Sequence, residues 1–365
     1  FAPPSTVHRP PSPPASPLAR ILLLGSGALA DALAREIASL CSTPLVRAEV
    51  PPSSQPFDLV VDTGRPTASR PIATHLGWVR AALESGAHWV DLARDRERVI
   101  GVRALDELAK ERGRVALSGA GFFPGWVEPF VRARLADLKR VNEVLIGFAL
   151  GAGAGWDESD FADLLGGYGR PIAMSIGGEQ TQREFLGDTR WFEHPAPVGL
   201  RHSSNVDAPD LALYLEKPYR AAGVRLSFAV PTRSAERSVR FALWLHRRGF
   251  AKNLVARARR LAQRAGGRAG ASGAPTSLTI SVRGIDAKSL PLERRIAFQS
   301  TRSTAELEAL SGVLAARAAL GLAGATPQSP GARPAAGLVD DTGFEAYVKA
   351  HSVDVRRGDL GGWRG

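Results

Sequence analysis

The chain has 365 residues, and its 44% hydrophobic and 23% charged content excludes a long disordered polymer and provides for a folded protein of about two domains. Its formal net charge is +11, but eleven bases lie between Arg237 and Ile285, where no acidic residue occurs, and the rest of the chain carries 36 bases against 36 acids. The single cysteine, Cys41, excludes a disulfide framework and a metal site of several cysteines, and no apolar run approaches the about 18 residues of a membrane-spanning helix.

Residues 1–17 are rich in Pro, Ser and Ala and contain no acidic residue. This composition is typical of an extended, disordered tail, and a fragment of an organellar transit segment is the alternative. We therefore leave residues 1–17 out of the predicted fold. We expect a cytoplasmic protein, with import into an organelle left open.

A strand, a glycine turn and a helix open the predicted fold. The apolar run Ile21–Leu24 is followed by Gly25-Ser26-Gly27-Ala28-Leu29-Ala30 and then by apolar residues at helical spacing. Gly25 permits a tight turn, Gly27 lets the backbone approach a pyrophosphate, and the small Ala30 lets the helix pack close to its strand. The helix N terminus supplies free N–H groups and a positive dipole end for phosphates. These six residues therefore form the predicted dinucleotide-binding turn.

Short strands alternate with helices up to residue 118. Strands are predicted at 45–50, 57–62, 89–92 and 115–118, with helices at 72–85 and 98–110. This alternation favours a parallel sheet covered on both faces. An Ala-rich helix at 304–320 is predicted to complete the domain, which then comprises residues 18–124 plus about 303–325.

Two carboxylates follow predicted strands. Glu49 ends the second strand, where an acid accepts a hydrogen bond from a ribose hydroxyl in dinucleotide sites, and a solvated loop acid is the alternative. Asp91 ends a later strand and is the candidate catalytic carboxylate, orienting a ligand or acting as a base, with capping of the next helix as the alternative. Arg47 and Arg65 could reach a 2′-phosphate, so NAD and NADP both remain open.

The pattern changes after residue 125. A helix at 127–138 leads into a strand at 142–150, residues 173–230 mix short strands with Pro-bounded loops, and strands are predicted at 226–230 and 278–283. We predict a second, α+β domain at 125–302, followed by a loop and a short helix within 326–365. The fold class is α/β: a Rossmann-type parallel sheet with an inserted α+β substrate domain that contains an antiparallel sheet.

Three motifs in order carry a family resemblance. They are FDLVVDTGRP at residues 57–66, VRAALESGAHWVDLA at 79–93 and GAGFFPGW at 119–126. Together with the glycine turn they resemble the saccharopine dehydrogenase superfamily over residues 20–130, and the resemblance continues more faintly in later segments.

The resemblance implies an NAD(P)-dependent oxidoreductase that transfers a hydride to or from a small-molecule substrate. It also implies that NAD or NADP lies across the first domain near Thr63, Gly64 and Arg65, and that Asp91 and the turn at 121–125 line a substrate cleft. A homodimer is left open. The alternative function is a catalytically silent dinucleotide-binding or interaction protein.

The sequence departs from the family pattern at two places. The segment between Val50 and Phe57 is too short for the helix and strand that usually complete the first half of the cofactor domain. Phe123 stands where family members that act on saccharopine carry an acid. Amino-acid substrates are therefore in doubt.

The acid-free stretch contains a predicted basic helix at 241–264. Phe250, Leu254, Ala258 and Leu261 recur at helical spacing, with arginines around them. A solvated surface helix is preferred, and peripheral contact with an anionic membrane is the main alternative. Nucleic acid is not an expected partner, because the Gly/Ala/Ser-rich residues that follow resemble a flexible loop.

The histidines show no metal-ligand spacing. His75, His194 and His202 are scattered, which favours ordinary core or surface histidines, and no metal site is predicted. His88 precedes Asp91 by three residues, so strand alternation places the two side chains on opposite faces.

Overall fold

The computed structural model describes residues 19–40, 45–51, 57–64, 71–92, 96–151, 169–207, 213–230, 274–360 and 362–364, with residues 237, 241, 244, 245 and 248. These residues form two β-sheets and the helices around them. No helix in the described part of the chain is long and apolar enough to cross a membrane.

The strands and helices are numbered in chain order. The strands are β1 (Ile21–Leu24), β2 (Val46–Ala48), β3 (Leu59–Asp62), β4 (His88–Asp91), β5 (Val115–Ser118), β6 (Arg140–Ala149), β7 (Pro171–Ile176), β8 (Glu179–Glu184), β9 (Thr189–Glu193), β10 (Leu200–Val206), β11 (Gly223–Ala229), β12 (Thr276–Ile285), β13 (Pro291–Ser300), β14 (Gly331–Pro334), β15 (Asp354–Asp359) and β16 (Gly362–Arg364). The helices are α1 (Ala28–Ile37), α2 (Ile72–Glu84), α3 (Arg96–Arg103), α4 (Asp106–Glu111), α5 (Glu128–Arg134), α6 (Thr304–Ala319) and α7 (Asp341–Ala350).

The first sheet has six parallel strands in the order β14-β5-β4-β3-β1-β2. Strands β1, β3 and β5 are buried throughout because both faces of the sheet are covered. Helices α1 and α6 cover one face, where Leu33 and Leu310 pack on Leu23 and Val61. Helices α2, α3 and α4 cover the other face around Trp89. Continuous apolar runs are typical of such doubly covered parallel strands.

The second sheet has ten strands and is mostly antiparallel. Its main path runs β16-β15-β13-β12-β6-β11-β10-β9, with β7 paired to β11 and β8 paired to β7. Only the β6–β11 pair is parallel among the described pairs of this sheet. One face carries Ile146 and Phe148 into a core shared with Trp126, Phe298 and Phe344, which joins both sheets through α5, α6 and α7.

This architecture confirms the predicted fold class, a Rossmann-type parallel sheet with an α+β portion that contains a largely antiparallel sheet. Strand β2 lies at the edge of the first sheet next to β1, and no strand of the described residues lies beyond it. The short segment after Val50 predicted this truncation of the sheet.

The C-terminal part of the chain differs from its prediction. The expected loop before residue 334 contains β14, which pairs in parallel with β5 and extends the first sheet. Strands β15 and β16 follow α7 and extend the second sheet. The predicted helix at 98–110 is two helices, α3 and α4, because a turn at Ala104 and Leu105 separates them.

Candidate functional site

The glycine turn lies at the carboxyl end of β1. Gly25 has φ +106°, and a Cβ there would lie 2.6 Å from Thr63 Oγ1 and 3.1 Å from the Gly64 nitrogen. Only glycine therefore fits between β1 and the end of β3. Gly27 has φ +88°, yet a Cβ there would meet nothing within 4 Å. The turn is closely packed at Gly25 and leaves open space at Gly27.

The open space at Gly27 adjoins the N terminus of α1. Gly27 is the N-cap residue and no side chain caps the helix, so the first N–H groups of α1 are available to a ligand. Ser26, Gly27 and Ala28 are exposed, Leu29 is half-buried, and Ala30 is fully buried against the sheet. These features suit a phosphate group, which pairs with free N–H groups and with the positive end of the helix dipole.

Glu49 lies beside this turn. The Gly25 nitrogen donates to the carbonyl oxygen of Ala48 at 3.0 Å, so the next residue, Glu49, follows β2 at the same edge of the sheet, and it is exposed. Arg47 is held on α1 by a 2.8 Å ion pair between its Nη2 and Asp31 Oδ1. Arg65 lies outside the described residues.

Thr63 and Gly64 join the end of β3 to the glycine turn. The backbone nitrogen and Oγ1 of Thr63 both donate to the carbonyl oxygen of Leu24, at 3.0 and 2.9 Å. The Gly64 nitrogen donates to Asp62 Oδ1 at 2.8 Å. The structure thus brings the predicted cofactor residues of β1, β2 and β3 to one edge of the sheet.

A buried polar cluster lies directly behind Gly64. Asp62 and Asp91 are neighbours in the register of β3 and β4. His75 of α2 bridges them, with Nδ1 3.1 Å from Asp62 Oδ2 and Nε2 2.9 Å from Asp91 Oδ2. Arg98 of α3 places Nη2 2.9 Å from Asp62 Oδ2 and 3.2 Å from Asp91 Oδ2. All four residues are at most 1% exposed.

The cluster balances its charge internally. Burial lowers the pKa of His75, but hydrogen bonds to Asp62 and Asp91 outweigh that effect and raise the pKa above its ordinary value of 6.5. Arg98, and His75 when it is protonated, place positive charge against the two buried carboxylates, as buried charges require. Arg98 Nη1 also donates to the carbonyl oxygen of Gly64. The cluster therefore fixes the turn that packs against Gly25.

Asp62, His75 and Asp91 have the donor atoms of a metal site, and these atoms lie within 4.8 Å of one another. However, Arg98 Nη2 lies 3.0 Å from His75 Nδ1 as well as beside both carboxylates. The guanidinium thus takes the central position that a cation would need, so the cluster fits an arginine rather than a metal ion.

Sequence reasoning missed that His75 and Asp91 meet. Asp91 was expected in an open cleft, but its carboxylate is fully buried in the cluster. The available signal was that two consecutive strands of the parallel sheet both end in aspartate, Asp62 and Asp91. His88 points to the other face of β4 and accepts from the Val115 nitrogen at 3.0 Å. Burial, followed by the charge of Arg114, lowers the pKa of His88 to about 4.

The turn at 119–126 packs against α6. A Cβ at Gly121 would collide with the side chain of Glu308, and one at Gly125 would collide with Ser311. Trp126 Nε1 donates to the Leu307 carbonyl oxygen at 3.2 Å. The glycines of this turn therefore serve close packing, and the turn itself is largely buried.

The predicted basic helix at 241–264 lies mainly outside the described residues. Of its described members, Phe241 and Trp244 are exposed and their ring centroids are 5.9 Å apart. The Arg248 guanidinium lies 4.3 Å from the Trp244 ring. Membrane contact by this segment stays a prediction.

No protein-family model matches the sequence, and no curated protein matches it. Solved structures do match in fold. Apo saccharopine dehydrogenase (L-Glu forming) from Saccharomyces cerevisiae has a TM-score of 0.59 at 12% identity, over 94% of this chain and 100% of that chain. A meso-DAPDH mutant with DAP from Clostridium tetani has a TM-score of 0.41 at 14% identity, over 87% of this chain and 93% of that one. The chain therefore has the fold of saccharopine dehydrogenase, the family that its motifs resemble.

Proposed function

We propose that this protein is an NAD(P)-dependent oxidoreductase that acts on a small-molecule substrate. One observation carries the proposal: the glycine turn of β1, with open space at Gly27, meets the end of β3 at Thr63 and Gly64. The fold shared with saccharopine dehydrogenase supports it.

The position of this turn in the sheet suits a dinucleotide. From β1 the chain passes to β2 on one side, and it then returns to β3 on the other side of β1. Open α/β sheets bind ligands beyond the carboxyl ends of their strands at such a switch in strand order. Gly25 and Gly64 lie on the two sides of that switch.

The residues fit the parts of the cofactor. The N–H groups at the start of α1 would bind the pyrophosphate, and the exposed carboxylate of Glu49 would accept from a ribose hydroxyl. Thr63, Gly64 and Arg65 would border the nicotinamide half. The bound cofactor would supply the hydride chemistry, so this chain needs no covalent nucleophile.

We assign Asp91 a positioning role in this proposal. Its carboxylate is buried and paired with His75 and Arg98, and Arg98 binds the Gly64 carbonyl oxygen. Asp91 would thereby hold the 62–64 turn in the shape that the cofactor requires.

The test compares two glycine variants of the full chain. Gly27→Asp adds a carboxylate at the predicted pyrophosphate position, whereas Gly178→Asp makes the same change at an exposed turn between β7 and β8, where φ is +91° and a Cβ also meets nothing within 4 Å. The two changes impose similar backbone strain. Only Gly27→Asp is expected to affect cofactor binding.

The readout is the melting temperature of each protein with and without millimolar NADH or NADPH. We expect at least one cofactor to raise it in the wild type and in Gly178→Asp, since a ligand of the native state stabilises by mass action. We expect no increase in Gly27→Asp. If neither cofactor changes the wild-type melting temperature, the proposal fails.

A further inference from the structure

Strand β9 lies over one face of the second sheet and forms one wall of a half-open cavity. Phe192 of β9 covers Gly147 of β6, where a Cβ would collide with its ring. Glu193 Oε2 is 2.8 Å from Arg295 Nη1 of β13. The sheet therefore curls until its β9 edge reaches strands β6 and β13, and a cavity of about 250 Å³ remains between them.

Two arginines in the wall of this cavity have unused donors. The Nε atoms of Arg190 and Arg225 are buried and donate to no acceptor among the described residues. Arg225 Nη2 donates to Glu143 Oε1 at 2.6 Å, but the Arg190 side chain makes no hydrogen bond or ion pair within the described residues. Burial, followed by the charge of Arg225, lowers the pKa of Arg190. A partly buried guanidinium with an unbonded Nε thus lies close enough to a second guanidinium to feel its charge.

The carboxylates of the cavity are already engaged. Glu293 Oε1 accepts from Ser281 at 2.6 Å and from Arg295 at 2.7 Å, and Arg283 Nε lies 3.1 Å away. Glu193 is paired with Arg295. Glu143 and Asp188 attract the charge of Arg190 from a distance, but Glu143 is bonded to Arg225 and Asp188 is paired with Arg183. Arg190 therefore makes no ion pair with any of these four acids.

The remaining wall mixes hydroxyl and apolar groups. Ser227 of β11 and Thr279 of β12 supply hydroxyl groups. Apolar surface comes from Leu145, Leu200 and Phe192. A buried donor without an acceptor costs about 1–3 kcal/mol, and an oxyanion is an acceptor that could serve both arginines at once. The wall would accommodate an apolar group attached to such an anion.

We propose that this cavity binds a small molecule that carries a phosphate or carboxylate group, held by Arg190 and Arg225. The anion lies between the two guanidinium groups, and its apolar part contacts Phe192 and Leu200. This site is on the second sheet and is separate from the glycine turn of β1.

The test measures the affinity of two probes, phenyl phosphate and benzoate, for the full chain by isothermal titration calorimetry at low ionic strength. The wild type is compared with Arg190→Gln, Arg190→Lys and Arg356→Gln. Arg356 is a control on β15 of the same sheet, partly exposed and paired with Asp354. Any anion that binds at α1 is common to all four proteins, so the difference between variants measures the cavity.

We expect Arg190→Gln to lower the affinity for the preferred probe by about tenfold or more, as the loss of a charge-assisted hydrogen bond implies. Arg190→Lys should retain part of the affinity, and Arg356→Gln should match the wild type. Tighter binding of phenyl phosphate identifies a phosphate ligand, and tighter binding of benzoate identifies a carboxylate. Thermal unfolding of each variant verifies that it is folded.

Equal affinity of the wild type and Arg190→Gln for both probes would overturn the proposal, as would the absence of binding to the wild type. Sedimentation velocity on the same samples tests the competing occupant. If the Arg190→Gln substitution dissociates a dimer and leaves the affinity for the probe unchanged, a second copy of the chain covers this face. The proposal of a small-anion site is then wrong.

Discussion

His75 lies between two buried carboxylates and next to Arg98, and these three groups are among the charged side chains that face it in the described part of the chain. Its pKa is raised above 6.5 because the hydrogen bonds to Asp62 and Asp91 outweigh the opposing effect of burial. A raised folded-state pKa stabilises the native protein fully below pH 6.5, and the contribution disappears as pH rises through the folded value.

We therefore expect the melting temperature to fall as pH rises from neutral into the alkaline range. In His75→Gln, which can still hydrogen-bond but cannot take a proton, this fall should be smaller. His88 and His194 have lowered pKa values, about 4 and about 3, so they act on the acidic side and do not confound the measurement. Identical alkaline profiles of the wild type and the variant would show that His75 is neutral in the native state.

The single residues differ in how far the sequence predicted them. The sequence predicted a tight glycine turn at Gly25 and Gly27, and both residues have positive φ there; their role in cofactor binding stays a prediction. The role of His75 was missed because its partners lie in other strands and helices, and a lone histidine carries no spacing signal. Its geometry depends on the register of β3 and β4, which brings Asp62 beside Asp91.

At the scale of elements, the buried cluster ties strands β3 and β4 to helices α2 and α3. Arg98 contributes the permanent positive charge, so Arg98→Met would remove a cation from beside two buried carboxylates. We expect a loss of about 3–5 kcal/mol in the free energy of unfolding, because removing one partner of a buried ion pair leaves the other charge buried without compensation. Urea denaturation followed by circular dichroism measures this loss.

Arg96→Gln is the matched control for that variant. Arg96 lies on the same helix and pairs with Asp207 at 2.8 Å, with its side chain 26% exposed. Its loss should cost about 1 kcal/mol or less, as for other partly solvated pairs. If Arg98→Met were no more damaging than Arg96→Gln, the cluster would not be an energetic link between these elements.

The elements of the parallel sheet were predicted well because their apolar runs and intervening helical patterns are strong local signals. Strand β14 was missed because Gly331 and Pro334 bound a run of only four residues, and its partner β5 lies more than 200 positions earlier. Strand β8, with the sequence EQTQRE, has no apolar alternation because it lies at the end of the branch formed by β7 and is largely exposed. Such strands form because of their pairing with distant parts of the chain, which a local sequence pattern does not show.

At the scale of the whole molecule, two sheets share one continuous core, and the features with potential ligands lie on different sheets. The excess of basic residues in the sequence is concentrated between Arg237 and Ile285, mainly outside the described part. Of the four arginines that line the β9 cavity, Arg283 belongs to this basic stretch, and the other three come from strands β9, β11 and β13. Their grouping could not be deduced from composition. The glycine turn at the switch between β1 and β3 is the basis of the proposed function.

The crystal structure of the protein with bound NADH or NADPH tests this basis most directly. We expect the pyrophosphate at the N–H groups that begin α1, the adenosine ribose next to Glu49, and the nicotinamide half beyond Thr63 and Gly64. A dinucleotide bound elsewhere, with the N terminus of α1 free of phosphate, would contradict it.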